Sequence, residues 1–115
     1  MNRIQKVSVP LTLLYETDAS VITGTVKLNG ILKGTTLVVP NLDSSNTITA
    51  SILDAEGGVV WTKSSIADSA TTSSYVDSNN YYLSQPLHGT LTLRIVTSAT
   101  QTADRSFTFH IYYET

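Results

Sequence analysis

Two stretches near the end of the chain decide the predicted fold: Thr90-Leu-Thr-Leu-Arg-Ile-Val96 and, after a polar turn, Arg105-Ser-Phe-Thr-Phe-His-Ile-Tyr-Tyr113. Apolar and polar side chains alternate in both, which is the period expected of a β-strand with one buried face. The faces predicted to be buried hold Leu91, Leu93 and Ile95 in the first stretch and Phe107, Phe109, Ile111 and Tyr113 in the second. The chain is therefore predicted to end on two half-buried strands.

The same alternation marks the beginning of the chain. From Ile4 to Tyr15 one predicted face carries Val7, Val9, Leu11, Leu13 and Tyr15. Pro10 lies on the opposite face and lacks a backbone N–H, so it cannot donate a hydrogen bond to a neighbouring strand. This strand is therefore expected at the edge of a sheet, or with a bulge or a switch between sheets at Pro10.

Two hairpins are predicted in the middle of the chain. Asn29-Gly30 separates the β-rich runs Val21–Leu28 and Ile31–Val39, and this dipeptide is typical of a type I′ turn because both positions need a positive φ. Residues 54–58 (Asp-Ala-Glu-Gly-Gly) turn the strand Thr47–Leu53 into Val59–Lys63. The Ser/Thr/Asp/Asn-rich stretch from Ser64 to Ser84 predicts a long surface loop with at most one short strand.

The fold class predicted from these patterns is all-β: an antiparallel β-sandwich or jelly-roll of about seven or eight strands. No window keeps apolar residues at helical spacing. The 115 residues suit a single domain, which we place at residues 7–115. Residues 1–6, with Arg3 and Lys6, are interpreted either as an N-terminal arm or as a frayed terminus.

Composition excludes several classes of partner. The net charge of −2 arises from 7 basic and 9 acidic residues scattered along the chain, so we expect neither nucleic-acid binding nor a polybasic membrane patch. Cysteine is absent, which rules out disulfides and thiolate metal sites. We find no signal peptide and no transmembrane span in the sequence, which favours synthesis in a cytoplasm.

No catalytic, metal or cofactor site is predicted. His88 and His110 lie on different predicted elements without a second ligand at metal spacing. No G-x-S-x-G elbow is present, and the acidic residues lie in predicted turns, where Asp caps the turn itself. Structural calcium at Asp77 to Asn80, or at Asp54 with Glu56, is a weaker alternative because neither loop has EF-hand spacing. We therefore expect a non-enzymatic protein without a cofactor.

The aromatic residues are the best candidates for an interaction surface. Tyrosines occur at 75, 81, 82, 112 and 113, and adjacent tyrosines on a strand must point to opposite faces. Exposed tyrosines are typical of protein interfaces and of sugar-stacking platforms, although they also cover the ends of sandwich cores. Trp61 is expected in the core.

Four stretches together resemble the small β-sandwich structural proteins of tailed bacteriophages, especially the head decoration or cement proteins. They are Leu37-Val-Val-Pro-Asn-Leu42, Ile52-Leu-Asp54 to Trp61-Thr-Lys63, Pro86-Leu-His-Gly-Thr-Leu91 and Phe107 to Glu114, in a Ser/Thr-rich chain without cysteine. The resemblance is one of general pattern and spans about Lys6 to Glu114.

The resemblance implies a virion protein that attaches to the outer shell between major capsid subunits and stabilises it in many copies. Its partners would be the major capsid protein and copies of itself, including in a homo-oligomer on the particle, with no nucleic acid and no membrane. The residues expected at the interface are Arg3, Lys6, Tyr75, Tyr81, Tyr82 and Tyr112.

Two alternatives stay open at the level of sequence. A carbohydrate-binding or adhesive sandwich module, as in a tail, a fibre or a host-surface binder, would also use exposed tyrosines and Trp61. Head decoration and tail or fibre components are not separated, since both use small sandwiches and a fold does not determine a function.

Overall fold

A computed structural model describes residues 3–15, 20–43, 46–77 and 79–115. These residues form nine β-strands and no helix. The strands are β1 (Ile4–Leu13), β2 (Val21–Lys27), β3 (Gly30–Val38), β4 (Thr47–Leu53), β5 (Val59–Ala67), β6 (Thr71–Ser74), β7 (Gln85–Leu87), β8 (Thr90–Thr97) and β9 (Arg105–Glu114). No helix in the described part of the chain could therefore cross a membrane.

The strands form two antiparallel sheets packed as a sandwich, which confirms the predicted fold class. The first sheet, here sheet A, has the order β1-β9-β3-β6, with β7 also pairing with β3. The second, sheet B, has the order β2-β8-β4-β5. Successive strands cross between the sheets except at the β4–β5 hairpin and between β6 and β7. This alternation is the topology of a jelly-roll, with β6 and β7 sharing one strand position.

The core lies between the alternating faces that the sequence predicted. Leu91, Leu93 and Ile95 of β8 are completely buried, as are Phe109 and Ile111 of β9. Trp61 of sheet B packs edge-to-face on Phe109 of sheet A, with ring centroids 5.9 Å apart. Aromatic pairs favour this geometry because the positive edge of one ring meets the negative face of the other.

The predicted hairpin at Asn29-Gly30 is wrong. β2 pairs with β8 in sheet B, whereas β3 pairs with β9 in sheet A, so the dipeptide carries the chain from one sheet to the other. Asn29 does not take the positive φ that a type I′ turn needs. Its side-chain oxygen instead accepts a hydrogen bond of 3.2 Å from the N–H of Gly89, in the loop before β8.

The second predicted hairpin is confirmed. β4 and β5 pair with each other across the turn at residues 54–58. The Asp54 carboxylate accepts hydrogen bonds from the N–H groups of Glu56 (3.0 Å) and Gly58 (2.7 Å), and Gly57 takes a positive φ of 85°. The turn residues therefore cap themselves, as the sequence suggested.

The region from Ser64 to Ser84 is more ordered than the predicted long loop. β5 continues to Ala67 and β6 follows at Thr71–Ser74. Residues 75–77 and 79–83 then form a tight hairpin, here called the 75–83 hairpin, with a bridge between Val76 and Tyr82 and a hydrogen bond from Leu83 N–H to Tyr75 O. Apolar residues are sparse here, so the alternation that reveals other strands is weak.

β1 forms an edge of sheet A, as Pro10 predicted. It pairs with β9 in an unbroken register from Ile4–Glu114 to Leu13–Arg105. Ile4 to Lys6, which the sequence placed in an arm, are thus part of this strand. Met1 and Asn2 lie outside the described residues.

Candidate interaction surface

The outer face of sheet A brings together three of the six residues expected at an interface. Lys6, Tyr112 and Gly34 form one cross-strand row on β1, β9 and β3, and Tyr75 directly follows β6. The Lys6 ammonium lies 6.0 Å from the centroid of the Tyr112 ring, and the Tyr75 and Tyr112 rings are 6.2 Å apart. A cation over one of two adjacent, tilted aromatic rings forms a compact amphipathic patch, here called the tyrosine patch.

Gly34 makes room for this patch. A Cβ atom added at Gly34 would lie 2.4 Å from Cδ1 and 2.7 Å from Cε1 of Tyr75. The Tyr75 ring therefore covers the backbone of β3 at Gly34, and the side chain of any other residue at position 34 would displace the ring. The sequence carried a signal for this packing, because a glycine within a strand often marks a close approach, but the approaching residue, 41 positions later, was not identifiable.

A row of polar side chains lies beside the tyrosine patch on the same face. Ser8 Oγ and His110 Nδ1 are hydrogen-bonded at 2.7 Å, and Thr36 Oγ1 and Ser73 Oγ at 2.8 Å. Partial burial lowers the pKa of His110, and the charge of Lys6 lowers it further. His110 is thus neutral near pH 7 and contributes hydrogen-bonding capacity rather than charge.

The 75–83 hairpin presents the next two expected interface residues. Tyr81 is 71% exposed and Tyr82 is 84% exposed. The Asp77 carboxylate accepts hydrogen bonds from the N–H groups of Asn79 (2.8 Å) and Tyr81 (3.1 Å), which holds the tip of the hairpin. Two exposed aromatic side chains therefore follow Tyr75 of the tyrosine patch closely in the sequence.

Arg3 is not brought into contact with these tyrosines by any interaction in the structure. It precedes β1, and its backbone carbonyl accepts a hydrogen bond of 3.2 Å from the N–H of Thr115. Its exposed side chain lies at the end of sheet A that also holds Ile4 and Glu114.

A groove, not anticipated from the sequence, opens between β5 and the 75–83 hairpin. Its volume is about 720 Å³. The buried side chains of Trp61 and Leu83 lie at its base. Lys63 lines it on the strand side and Asp77 on the hairpin side. Sequence reasoning missed this groove because its two walls belong to different sheets.

The candidate metal and catalytic residues stay apart. Among the described residues, no three His, Asp or Glu side chains come close enough to hold a metal ion. His88 is exposed on the loop before β8, whereas His110 is on β9. In the two calcium alternatives, the carboxylates of Asp54 and Asp77 bind backbone N–H groups of their own turns.

A polar cluster closes the end of the sandwich at which β3 ends and β9 begins. Asp43 forms an ion pair with Arg105 and accepts a hydrogen bond of 2.6 Å from the N–H of Thr102. The hydrogen bonds from Thr102 lower the pKa of Asp43, and Arg105 adds to this effect against a partial opposing desolvation. Gln101 is buried and its Oε1 accepts from the N–H of Asp43 (2.9 Å). The cluster ties the β3–β4 loop to the β8–β9 loop and to the start of β9, and it has the character of a structural support.

No known protein family matches the sequence, and no curated protein matches it either. Solved structures do match the fold. A chain of the capsid asymmetric unit of cyanophage Pam1 is 21% identical, with a TM-score of 0.54, and the match covers 97% of this chain and 84% of that one.

Chains of infectious bursal disease virus particles are also similar. In the VP2 subviral particle the identity is 16% and the TM-score 0.50, and in the derived T=1 particles the identity is 17% and the TM-score 0.50. Each match covers 97% of this chain but 32% of the viral one, so the chain spans about a third of their length. At these identities the likeness shows a shared fold.

Proposed function

We propose that this protein is a non-enzymatic structural component of a bacteriophage particle, most specifically a capsid decoration protein that binds the outer shell between major capsid subunits. The observation that carries the proposal is the whole-chain likeness to a component of the cyanophage Pam1 capsid. That chain is only slightly longer than this one, so in a known capsid a chain of this size and fold is a component in its own right.

The surface chemistry supports docking on protein rather than on nucleic acid. Tyrosine and arginine are enriched in interface cores, where a large rigid ring is buried at a small cost in side-chain entropy. The tyrosine patch and the 75–83 hairpin supply Tyr75, Tyr112, Tyr81 and Tyr82 for such contacts. Weak contacts of this kind suffice when many copies bind one particle.

Arg3 and Lys6 complete the proposed interface as its cationic component. Lys6 is held over Tyr112, while Arg3 stands at the end of β1. Ile4 to Lys6 are paired with β9, so Lys6 acts from within β1 rather than from an arm. An acidic surface on the shell would complement these two charges.

The decisive experiment is quantitative mass spectrometry of particles sedimented from a lysate of the source. We expect a copy number comparable to that of the major shell protein. Purified protein should also bind shells from which it has been removed. Recovery in the supernatant alone, with no binding to such shells, would refute the proposal.

Substitutions locate the docking face in the same binding assay. Tyr112→Ala should weaken binding to shells by roughly tenfold or more, as expected for a central interface tyrosine. Tyr15→Ala is the control, since Tyr15 is an exposed tyrosine that lies beyond the other end of β1, away from the tyrosine patch. Equal binding by both variants would exclude the tyrosine patch as the docking face.

A carbohydrate-binding module is the second candidate function, favoured by one observation. The Tyr75 ring lies over Gly34 and is still 49% exposed, and the hydroxyls of Ser73 and Thr36 are close by on the same face. An aromatic platform beside hydroxyl groups is suited to stack on a sugar ring. Binding to a glycan array that is lost in Tyr75→Ala would support this function, and no binding at millimolar glycan would exclude it.

A further inference from the structure

The groove beside β5 is lined by consecutive residues of a single strand. All of Val59 to Ser64 contribute to it. Side chains alternate between the two faces of a strand, so a surface formed by one face would involve every second residue. The register shift at Val60 breaks this alternation once, yet all six residues line the groove, so the groove runs along the backbone edge of β5.

This edge carries unpaired backbone groups. β5 is the last strand of sheet B, and among the described residues its sheet partner is β4 alone. An edge strand presents a row of N–H and C=O groups, and the chemistry complementary to such a row is another extended polypeptide.

The rest of the groove suits the side chains of such a segment. Trp61 and Leu83 form an apolar base, and each is less than 10% exposed. Lys63 and Asp77 stand on opposite walls, so the groove has no net charge and complements a segment that is neutral or carries charges of both signs. Six residues of extended chain span about 20 Å, which is the length of β5 available for pairing.

We infer that the groove binds an extended segment of the major shell protein, which adds to sheet B as a strand beside β5. The inference rests on the proposed function, because it names the partner from it. Backbone hydrogen bonds to β5 would supply affinity, and side chains that point towards Trp61 and Leu83 would supply selectivity.

Hydrogen–deuterium exchange on the full chain, free and bound to purified shells, tests this directly. Those backbone amides of residues 59–64 that point away from β4 should exchange roughly tenfold more slowly, or slower still, in the bound state because they become hydrogen-bonded. Amides of β2, the other edge strand of sheet B, lie outside the proposed docking face and should show no such change. Protection confined to β9 and β6 beneath the tyrosine patch would overturn the inference while leaving the proposed function intact.

A proline variant provides the matching loss of function. Ser64 lies at the register shift between the Ala50–Lys63 and Ile48–Ile66 pairs, so it has no paired residue on β4. Ser64→Pro removes one edge N–H and should weaken shell binding roughly tenfold, as the loss of one hydrogen bond does. Thr12→Pro, on the β1 edge, is the control and should bind like the natural chain. Equal affinities would overturn the inference.

A cysteine cross-link identifies the occupant even if the proline variant does not fold. The chain contains no cysteine, so a photoreactive group can be attached to Ser64→Cys alone. Illumination on shells should join residue 64 to one short segment of the shell protein. A cross-link to a second copy of this chain, or none despite binding to shells, would overturn the inference. Failure to bind shells at all would refute the proposed function and the inference with it.

Discussion

Two of the edge strands of the sandwich, β1 in sheet A and β5 in sheet B, differ in how they meet solvent. β1 is regular over ten residues and carries Pro10 and Lys6. β5 has no proline, two register shifts with β4, and a groove along its edge. Proline is one of the devices by which natural edge strands resist pairing with other chains, and β5, which carries Lys63 as β1 carries Lys6, lacks it. One edge is thus closed to strand addition and the other is accessible to it.

The orientation of Pro10 explains how β1 is closed. The hydrogen bond from Thr115 N–H to Arg3 O shows that Arg3 directs its backbone groups towards the chain segment that ends β9. Since this direction alternates along a strand, even-numbered residues of β1 direct theirs to the free edge. Pro10 is even-numbered, so its missing N–H interrupts the free edge without the loss of a bond to β9.

The largest expected effect comes from removing the buried side chain of Trp61, which packs β5 against sheet A. Trp61→Ala should lower the free energy of unfolding by about 3–5 kcal/mol, because a large buried side chain in contact with Phe109 is replaced by a cavity. Urea unfolding measures this change. Val59→Ala, with an exposed side chain on the same strand, is the control. A loss below about 1 kcal/mol for Trp61→Ala would show that the β5 edge is held in some other way.

Packing of the β1 edge is expected to be less costly to disturb. A Cβ at Gly24 of β2 would lie 2.3 Å from Cδ2 of Leu11 on β1, so the two edge strands are in close contact across the sandwich. Gly24→Val should destabilise the fold by about 1–3 kcal/mol through overpacking. Gly24→Val combined with Leu11→Ala should recover part of this loss. If the two substitutions change the free energy of urea unfolding additively, the contact between positions 24 and 11 is not the cause of the loss.

Opening the β1 edge should change association more than stability. Pro10→Val restores an N–H to that edge and should alter the free energy of unfolding by about 1 kcal/mol or less. Self-association in sedimentation velocity should rise, because the edge can then pair with another chain. Thr12→Val, on the same edge and face, is the control and should sediment like the natural chain. If Pro10→Val sediments unchanged, Pro10 is not what closes the edge.

The smallest expected effect is the response to acid of the polar cluster formed by Asp43 and Arg105. Folding lowers the pKa of Asp43 from its ordinary value of 3.8. The stabilising contribution of Asp43 is therefore present above pH 3.8 and is lost as the pH falls through the lower pKa of the folded state. The melting temperature should therefore decline below pH 3.8, and the decline should be smaller in Asp43→Asn. Arg105 pairs in register with Leu13, so faster amide exchange should appear first at this end of β1. An identical decline in both proteins would assign it to other carboxyl groups.

Much of the candidate site was predictable residue by residue but not as a site. Lys6, Tyr75 and Tyr112 each stood out in the sequence, yet 106 residues separate Lys6 from Tyr112, and only the β1–β9 register makes them neighbours. The row of Ser8 and His110 arises in the same way. The groove was unpredictable, since its walls, β5 and the 75–83 hairpin, are extended from opposite sheets and no local pattern relates them.

The positions of most strands, and the faces that they bury, follow from the local sequence, because alternation with a period of two is a local property of the chain. Leu91, Leu93 and Ile95 are buried as that period requires. The sheet that each strand joins depends instead on packing between distant parts of the chain. Asn29-Gly30 favours a hairpin locally, but β2 and β3 pair with β8 and β9, since burying both apolar faces in one core stabilises the chain more than a single tight turn does.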